Sequence, residues 1–138
     1  MAYASLSDLV AAFGEAELVR LTTPAGQPLG EVQPARAGRA LDEASELMDS
    51  YIRRRYAVPV QASGALRSCC CALARFDLAH SGDSQPSDQM TAARKERIAW
   101  LDAIAAGRVQ LDAAEQLAPQ SLARVTDRAR TLQPGDML

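Results

Sequence analysis

Between residues 34 and 56 the chain reads PARAGRALDEASELMDSYIRRRY, and its apolar residues Ala37, Leu41, Ala44, Leu47, Met48, Tyr51 and Ile52 recur at steps of three and four. That spacing lines one side of a 3.6-residue helix. Arg39, Asp42, Glu43, Glu46, Asp49 and Arg53 fall on the other side. Arg39/Glu43 and Asp49/Arg53 are opposite charges four residues apart, each pair worth a few tenths of a kcal/mol. Pro34 suits the first turn, where its missing N–H would have no partner anyway. Pro59 pushes Val58 out of the helical region, so the helix stops near Ala57. This is the longest clean pattern, and it predicts the central packing helix. On that reading Leu47→Asp buries an unpaired charge and prevents folding.

The same reading places other elements around it. Residues 3–13 open on Ser5-x-x-Asp8, a capping-box-like pair, and continue with Leu6, Leu9, Val10 and Phe13 at helical spacing. Gly14 can end that helix in a left-handed conformation, and 15–21 continue as a short second piece carrying Leu18 and Leu21. Residues 22–33 hold Pro24, Gly26, Pro28 and Gly30, a loop well beyond the usual length of roughly 4–6 residues. In an assembly protein such a loop reads as a contact arm. Residues 57–62 are too short and proline-broken for an interior strand, and their valines read as plugs for the core. Residues 63–80 predict a helix with Ser63 as cap and Leu66, Cys69, Cys70, Leu73 and Phe76 on one face. A turn-rich loop covers 81–87. The next helix runs from the Ser87 cap to Ala106, with Met90, Ala93, Ile98, Leu101, Ile104 and Ala105 apolar, Arg94 to Arg97 on its wet side, and Gly107 as stop. Residues 112–117 hold a turn or two of helix before Pro119, and 121–138 lack a sustained period.

The outcome is an all-α protein, a small bundle of about four to five helices with a long loop near its N-terminal end. Residues 1–111 form the helical domain, and 112–138 form an extended or mobile tail ordered on assembly.

Composition agrees with this class. Hydrophobic residues make up 48% and charged ones 23%, as in soluble globular chains, while aromatics are only 4%, so Leu, Ala, Val, Ile and Met must build the core. A net charge of −2 argues against a protein whose main task is to coat nucleic acid. The opening residues lack a basic stretch followed by an apolar one, so no signal peptide is expected. No apolar run approaches the roughly 20 residues of a membrane span.

Candidate chemistry is sparse, and an enzyme is the least favoured class. His80, the single histidine, sits at a helix end where a cation favours the dipole. The three cysteines, Cys69, Cys70 and Cys71, are consecutive. On a helix they point about 100° apart and cannot converge on one ion. Cys69 and Cys70 read as small buried hydrophobes, with Cys71 nearer the wet side; a reducing compartment fits them. Glu43 and Glu46 read as a solvated face, and the glycines match no phosphate-cradling loop. No metal, cofactor or catalytic residue is therefore expected. Arg53, Arg54 and Arg55 are the densest positive charge. They read either as helix-end cations or as a contact for a phosphate backbone or an acidic partner. Trp100, one residue off its helix's apolar stripe, reads as half exposed, at the core boundary or as an interface anchor. With Pro24 and Pro28 of the loop, these are the candidate interface or DNA-proximal residues.

Taken together, several blocks resemble the Mu-like phage neck or head-completion proteins. These are Tyr3…Ser7-Asp8-Leu9…Phe13-Gly14…Glu17-Leu18, then Ala40-Leu41…Ala44…Met48-Asp49-Ser50-Tyr51-Ile52…Arg55-Tyr56…Val58-Pro59-Val60. Leu66…Cys70…Leu73-Ala74-Arg75-Phe76-Asp77-Leu78 and Ala99-Trp100-Leu101…Ile104-Ala105…Gly107…Val109…Leu111 continue it. The resemblance covers residues 3–111; Phe76 stands where a tyrosine is expected, and the cysteines stand where small residues are. It implies a non-enzymatic virion protein, assembled in the host cytoplasm and similar to the head–tail connectors of other tailed phages. Such subunits form a homo-oligomeric ring of about twelve copies through heterologous contacts. The implied partners are the portal, a tail-terminator or tail-completion protein, and DNA passing without sequence specificity, with no membrane. The alternative is a small helical nucleic-acid-binding module in phage packaging or regulation, using Arg53 to Arg55.

Overall fold

The structure is a computed structural model and describes residues 2–81 and 85–111. Five helices follow one another: α1 (Leu6–Phe13), α2 (Glu15–Thr22), α3 (Pro34–Ile52), α4 (Gly64–Ser81) and α5 (Asp88–Ala105). The described residues are all-α, as the spacing predicts. The expected tail, 112–138, lies outside them.

Local signals set the ends of these helices. Ser5 caps α1: the Asp8 N–H donates to Ser5 Oγ, and the Asp8 carboxylate takes the Ser5 N–H in return. Gly14 adopts φ +91 between α1 and α2, which a side chain would resist. Pro34 stands at the first turn of α3, Ser63 Oγ accepts from the Leu66 N–H at the start of α4, and Ser87 Oγ accepts from Met90 at the start of α5.

The expected central helix ends earlier than its pattern runs. It closes at Ile52, and 53–55 form a turn in which the Arg54 and Arg55 N–H groups donate to Tyr51 and Ile52 carbonyls. Its inner face is as read, with Ala37, Leu41, Ala44, Met48 and Ile52 buried, whereas Leu47 and Tyr51 are only half-buried.

The helix that touches every other is α4. It packs against α3 on one side and α5 on another, and α1 and α2 cover the rest. Nine of its residues are buried, including all three cysteines. Cys71 is therefore not near the wet side: α4 is enclosed on more than one face, so a residue a third of a turn off its main stripe still meets a neighbour.

Two connections are stitched into this core. Tyr3 donates its N–H to Ser45 Oγ (2.9 Å) and its hydroxyl to the Asp49 carboxylate, and its Oη accepts the Val60 N–H (3.2 Å). The segment before α1 and the 57–62 connector are thus both tied to α3, and Val60 plugs the core. Asp49 consequently does not pair with Arg53, whose Nε donates to the Asp49 main-chain carbonyl instead. Beyond α5, Leu111 is buried and gives its N–H to Tyr56 Oη (3.3 Å).

Candidate interaction surfaces

The three arginines lie where α3 exits. Arg53, Arg54 and Arg55 are all exposed, and buried Tyr56 anchors the turn behind them. The Arg55 guanidinium reaches across to the end of α5: a Cβ built on Gly107 would sit 2.5 Å from Arg55 Nη1. The exits of α3 and α5 therefore share one corner, and exposed Arg108 stands next to that contact, with Asp102 3.8 Å away. Four arginines thus mark an end of the bundle where helix carbonyls already favour positive charge. That arrangement gathers exposed positive charge at one corner, the chemistry a phosphate or an acidic surface would meet.

Pro24 and Pro28 belong to the opposite end. Residues 23–33 join α2 to α3, and the loop base is closed by the Gln33 N–H on Thr22 Oγ1 (3.0 Å) and by Arg36 Nη1 on the Thr22 carbonyl (3.4 Å). Pro24 is half-buried and Pro28 is exposed. The 19 residues of α3 separate this loop from the arginines by about 27 Å. The candidate residues are thus not one site. Trp100 is half-buried against the core on the C-terminal half of α5, a boundary position.

Two clefts escape a reading from sequence. One, of about 310 Å3, lies between the first half of α3 and the last half of α4, with Arg36, Arg39, Glu43 and Asp77 in its walls. Arg39 and Glu43 share this cleft without closing to an ion pair; among the described residues the ion pairs are Glu17–Arg75 and Asp102–Arg108. Burial pushes the Asp77 carboxyl upward, helped by the Glu43 charge and opposed by Arg94 and His80. Glu46 lies outside this cleft and is exposed. The second cleft, of about 270 Å3, opens between α1, α4 and α5 over Phe13, Ala72, Met90 and Ala93, with Arg75 and Arg97 among its walls. Both arise between helices, α3 and α4 for the first and α1, α4 and α5 for the second, which no single helical stripe displays.

The reactive side chains are held in quiet forms. Burial pushes the Cys69 thiol up to about 12 and the Cys71 thiol up to about 11, and it raises Cys70 as well. The thiolate, the nucleophile and the metal ligand, is thereby suppressed. His80 is exposed at the last turn of α4 and stacks on Phe76, ring centroids 5.8 Å apart. Arg94 lies over the Phe76 ring, 5.0 Å from its centre, and Arg97 Nη2 donates to Ser68 Oγ (2.9 Å), so these two arginines cover α4 rather than only face water. Among the described residues no group of three or more His, Cys, Asp or Glu side chains gathers around a common point. No helix among them is long and apolar enough to cross a membrane.

The class defined here is a small all-α bundle, five helices among the described residues. The family model described as Bacteriophage Mu, Gp36 matches residues 3–128. Gene product J of Escherichia phage Mu is 33% identical over 109 residues, 78% of this chain and 74% of that protein. The Mu-like prophage FluMu protein gp36 of Haemophilus influenzae is 33% identical over 89 residues, 64% of this chain and 59% of that protein. The chain belongs to this Mu family of phage proteins.

Proposed function

We propose that this chain is a structural subunit of a tailed phage or prophage particle: a head–tail connector or neck subunit that forms a ring below the portal, around the DNA channel. Its partners are further copies of itself, about twelve to a ring, then the portal on one side, a tail-terminator or tail-completion protein on the other, and DNA that passes without sequence-specific contact. It is assembled in the host cytoplasm, is carried in the virion, and performs no catalysis and needs no cofactor.

The observation that carries this reading is the match to the Mu family over almost the whole helical body and beyond it. Two features support it. Exposed contact elements sit at opposite ends of α3, the loop 23–33 at one and the arginine corner at the other, as a subunit meeting different neighbours above and below requires. A net charge of −2 keeps the surface as a whole from gripping DNA, so DNA slides.

Light scattering across a concentration series, with electron microscopy of the largest species, tests the proposal. Closed rings are the expected result; a chain that stays monomeric at every concentration and ignores the portal overturns it. The arginine corner favours one other reading, a nucleic-acid-binding module. That reading requires DNA affinity that falls steeply with salt and is lost when Arg53, Arg54 and Arg55 become Ala.

A further inference from the structure

We infer that each copy of this chain seats its Leu29 in the α1/α4/α5 cleft of a second copy, with its Glu31 against that copy's Arg97. The inference rests on the ring reading and gives its subunit contact.

Leu29 is the exposed large hydrophobic residue among those described, 63% open to solvent. It lies near the tip of a loop whose base is locked by the two contacts on Thr22. Pro28 before it fixes one backbone angle of the tip, which lowers the freedom lost on binding. Exposing a leucine in this way costs solvation free energy with no return inside the same copy. Within its own copy the loop does not enter the cleft: Leu29 stays exposed, and none of residues 23–33 lines the cleft.

The cleft is shaped and charged for that occupant. Its volume of about 270 Å3 leaves room for a branched four-carbon side chain. Phe13, Ala72, Ala93 and the adaptable thioether of Met90 supply an apolar lining. The two cations in its wall are not equivalent. Arg75 is neutralised by Glu17 (Nη2 to Oε1 3.0 Å) and lies 4.4 Å from the centre of the Phe13 ring. Arg97 donates to the neutral Ser68 hydroxyl and forms no ion pair among the described residues, so its charge is left for an incoming carboxylate. Glu31 is exposed two residues after Leu29, close enough along the chain for both to meet the same neighbouring copy. Donor loop and acceptor cleft occupy different parts of the molecule. Their contact is therefore head-to-tail, the type that closes rings.

The test measures oligomer mass of the full chain across a concentration series for the wild type, Leu29→Asp, Ala93→Trp, Glu31→Arg, and Glu31→Arg with Arg97→Glu. Leu29 is exposed, so its replacement leaves the fold intact; circular dichroism checks each variant. Leu29→Asp and Ala93→Trp are expected to raise the concentration needed for assembly at least about 10-fold, the scale of one buried leucine. Glu31→Arg is expected to weaken assembly, and the charge-swapped double variant to recover it. Wild-type rings that persist unchanged in Leu29→Asp and Ala93→Trp overturn the loop-in-cleft contact and leave the ring reading standing. A wild type that never assembles overturns the ring reading, and this contact with it.

Discussion

Gly107 is held by two constraints, and only one of them is visible in a sequence. As the residue after the last periodic position of α5 it reads as a helix stop, and it does adopt φ +85, where a side chain is disfavoured. The second constraint is the Arg55 guanidinium lying over it. Because that contact is the far end of a flexible side chain, the backbone dominates the cost. Gly107→Ala is expected to lose about 1–2 kcal/mol, measured by urea unfolding, and removing the arginine as well, in Arg55→Ala/Gly107→Ala, is expected to recover little of it. Full recovery would show that the steric contact was the whole effect. Tyr3 was not legible in this way: nothing in its neighbourhood announces that its hydroxyl reaches Asp49 and the Val60 N–H, 46 and 57 residues on. Cysteine burial was legible for Cys69 and Cys70 from their stripe. The thiols also carry a pH dependence. An unfolded thiol titrates near 9, whereas Cys69 in the fold is pushed up to about 12. The folded state holds its proton more tightly, so this contribution is fully present below about pH 9 and is lost as pH rises from 9 toward 12. The unfolding midpoint is expected to fall between pH 8 and pH 10.5, with a shallower fall in Cys69→Ala. A flat profile would contradict the burial of these thiols.

At the scale of helices, the 3.6-residue period located all five elements, and capping residues fixed their starts at Ser5, Ser63 and Ser87. What periodicity could not rank was which helix lies deepest. The cleanest stripe belongs to α3 because that helix has one wet face, and a clean stripe marks an element on the outside. The CCCALA run of α4 has no such contrast, and this blurred pattern is itself the mark of a helix enclosed on several sides. The same distinction corrects the expectation for Leu47. It sits at the margin of the α3 inner face, half-buried, while Met48 beside it is fully buried. Met48→Asp is expected to abolish folding, since an unpaired carboxylate there costs on the order of 5 kcal/mol or more. Leu47→Asp is expected to fold with a loss of about 1–3 kcal/mol. Far-ultraviolet circular dichroism and thermal melts separate the two, and equal loss of structure in both would place Leu47 back inside the core.

For the molecule as a whole, the family and the helical class were legible, while the surfaces between helices were not. Arg53 to Arg55, Pro24 and Pro28 stand out in the sequence as charge and punctuation, but only the fold shows that they occupy opposite ends. The cleft formed jointly by α1, α4 and α5 has no sequence signature, because each helix contributes only two to four of its residues. The boundary at 111 can be tested directly. Leu111 is buried and bonded to Tyr56, Val109 packs beside the core, and Arg55 covers Gly107, so residues 107–111 close the body. A chain ending at Leu111 is expected to unfold cooperatively, with a midpoint within a few degrees of the full chain. Ending it at Ala106 removes the leucine and valine, about 2–4 kcal/mol of burial, and is expected to lower the midpoint on the order of 10 °C. Loss of cooperativity on ending at Leu111 would show that the helical body is not a folding unit by itself. The same shortened chain then locates the assembly energy. With the subunit contact made by Leu29, Glu31 and Arg97, all inside the body, its rings are expected to form at the concentrations that serve the full chain. A well-folded body that no longer assembles would move the subunit contact into residues 112–138 and leave the loop and cleft for another partner.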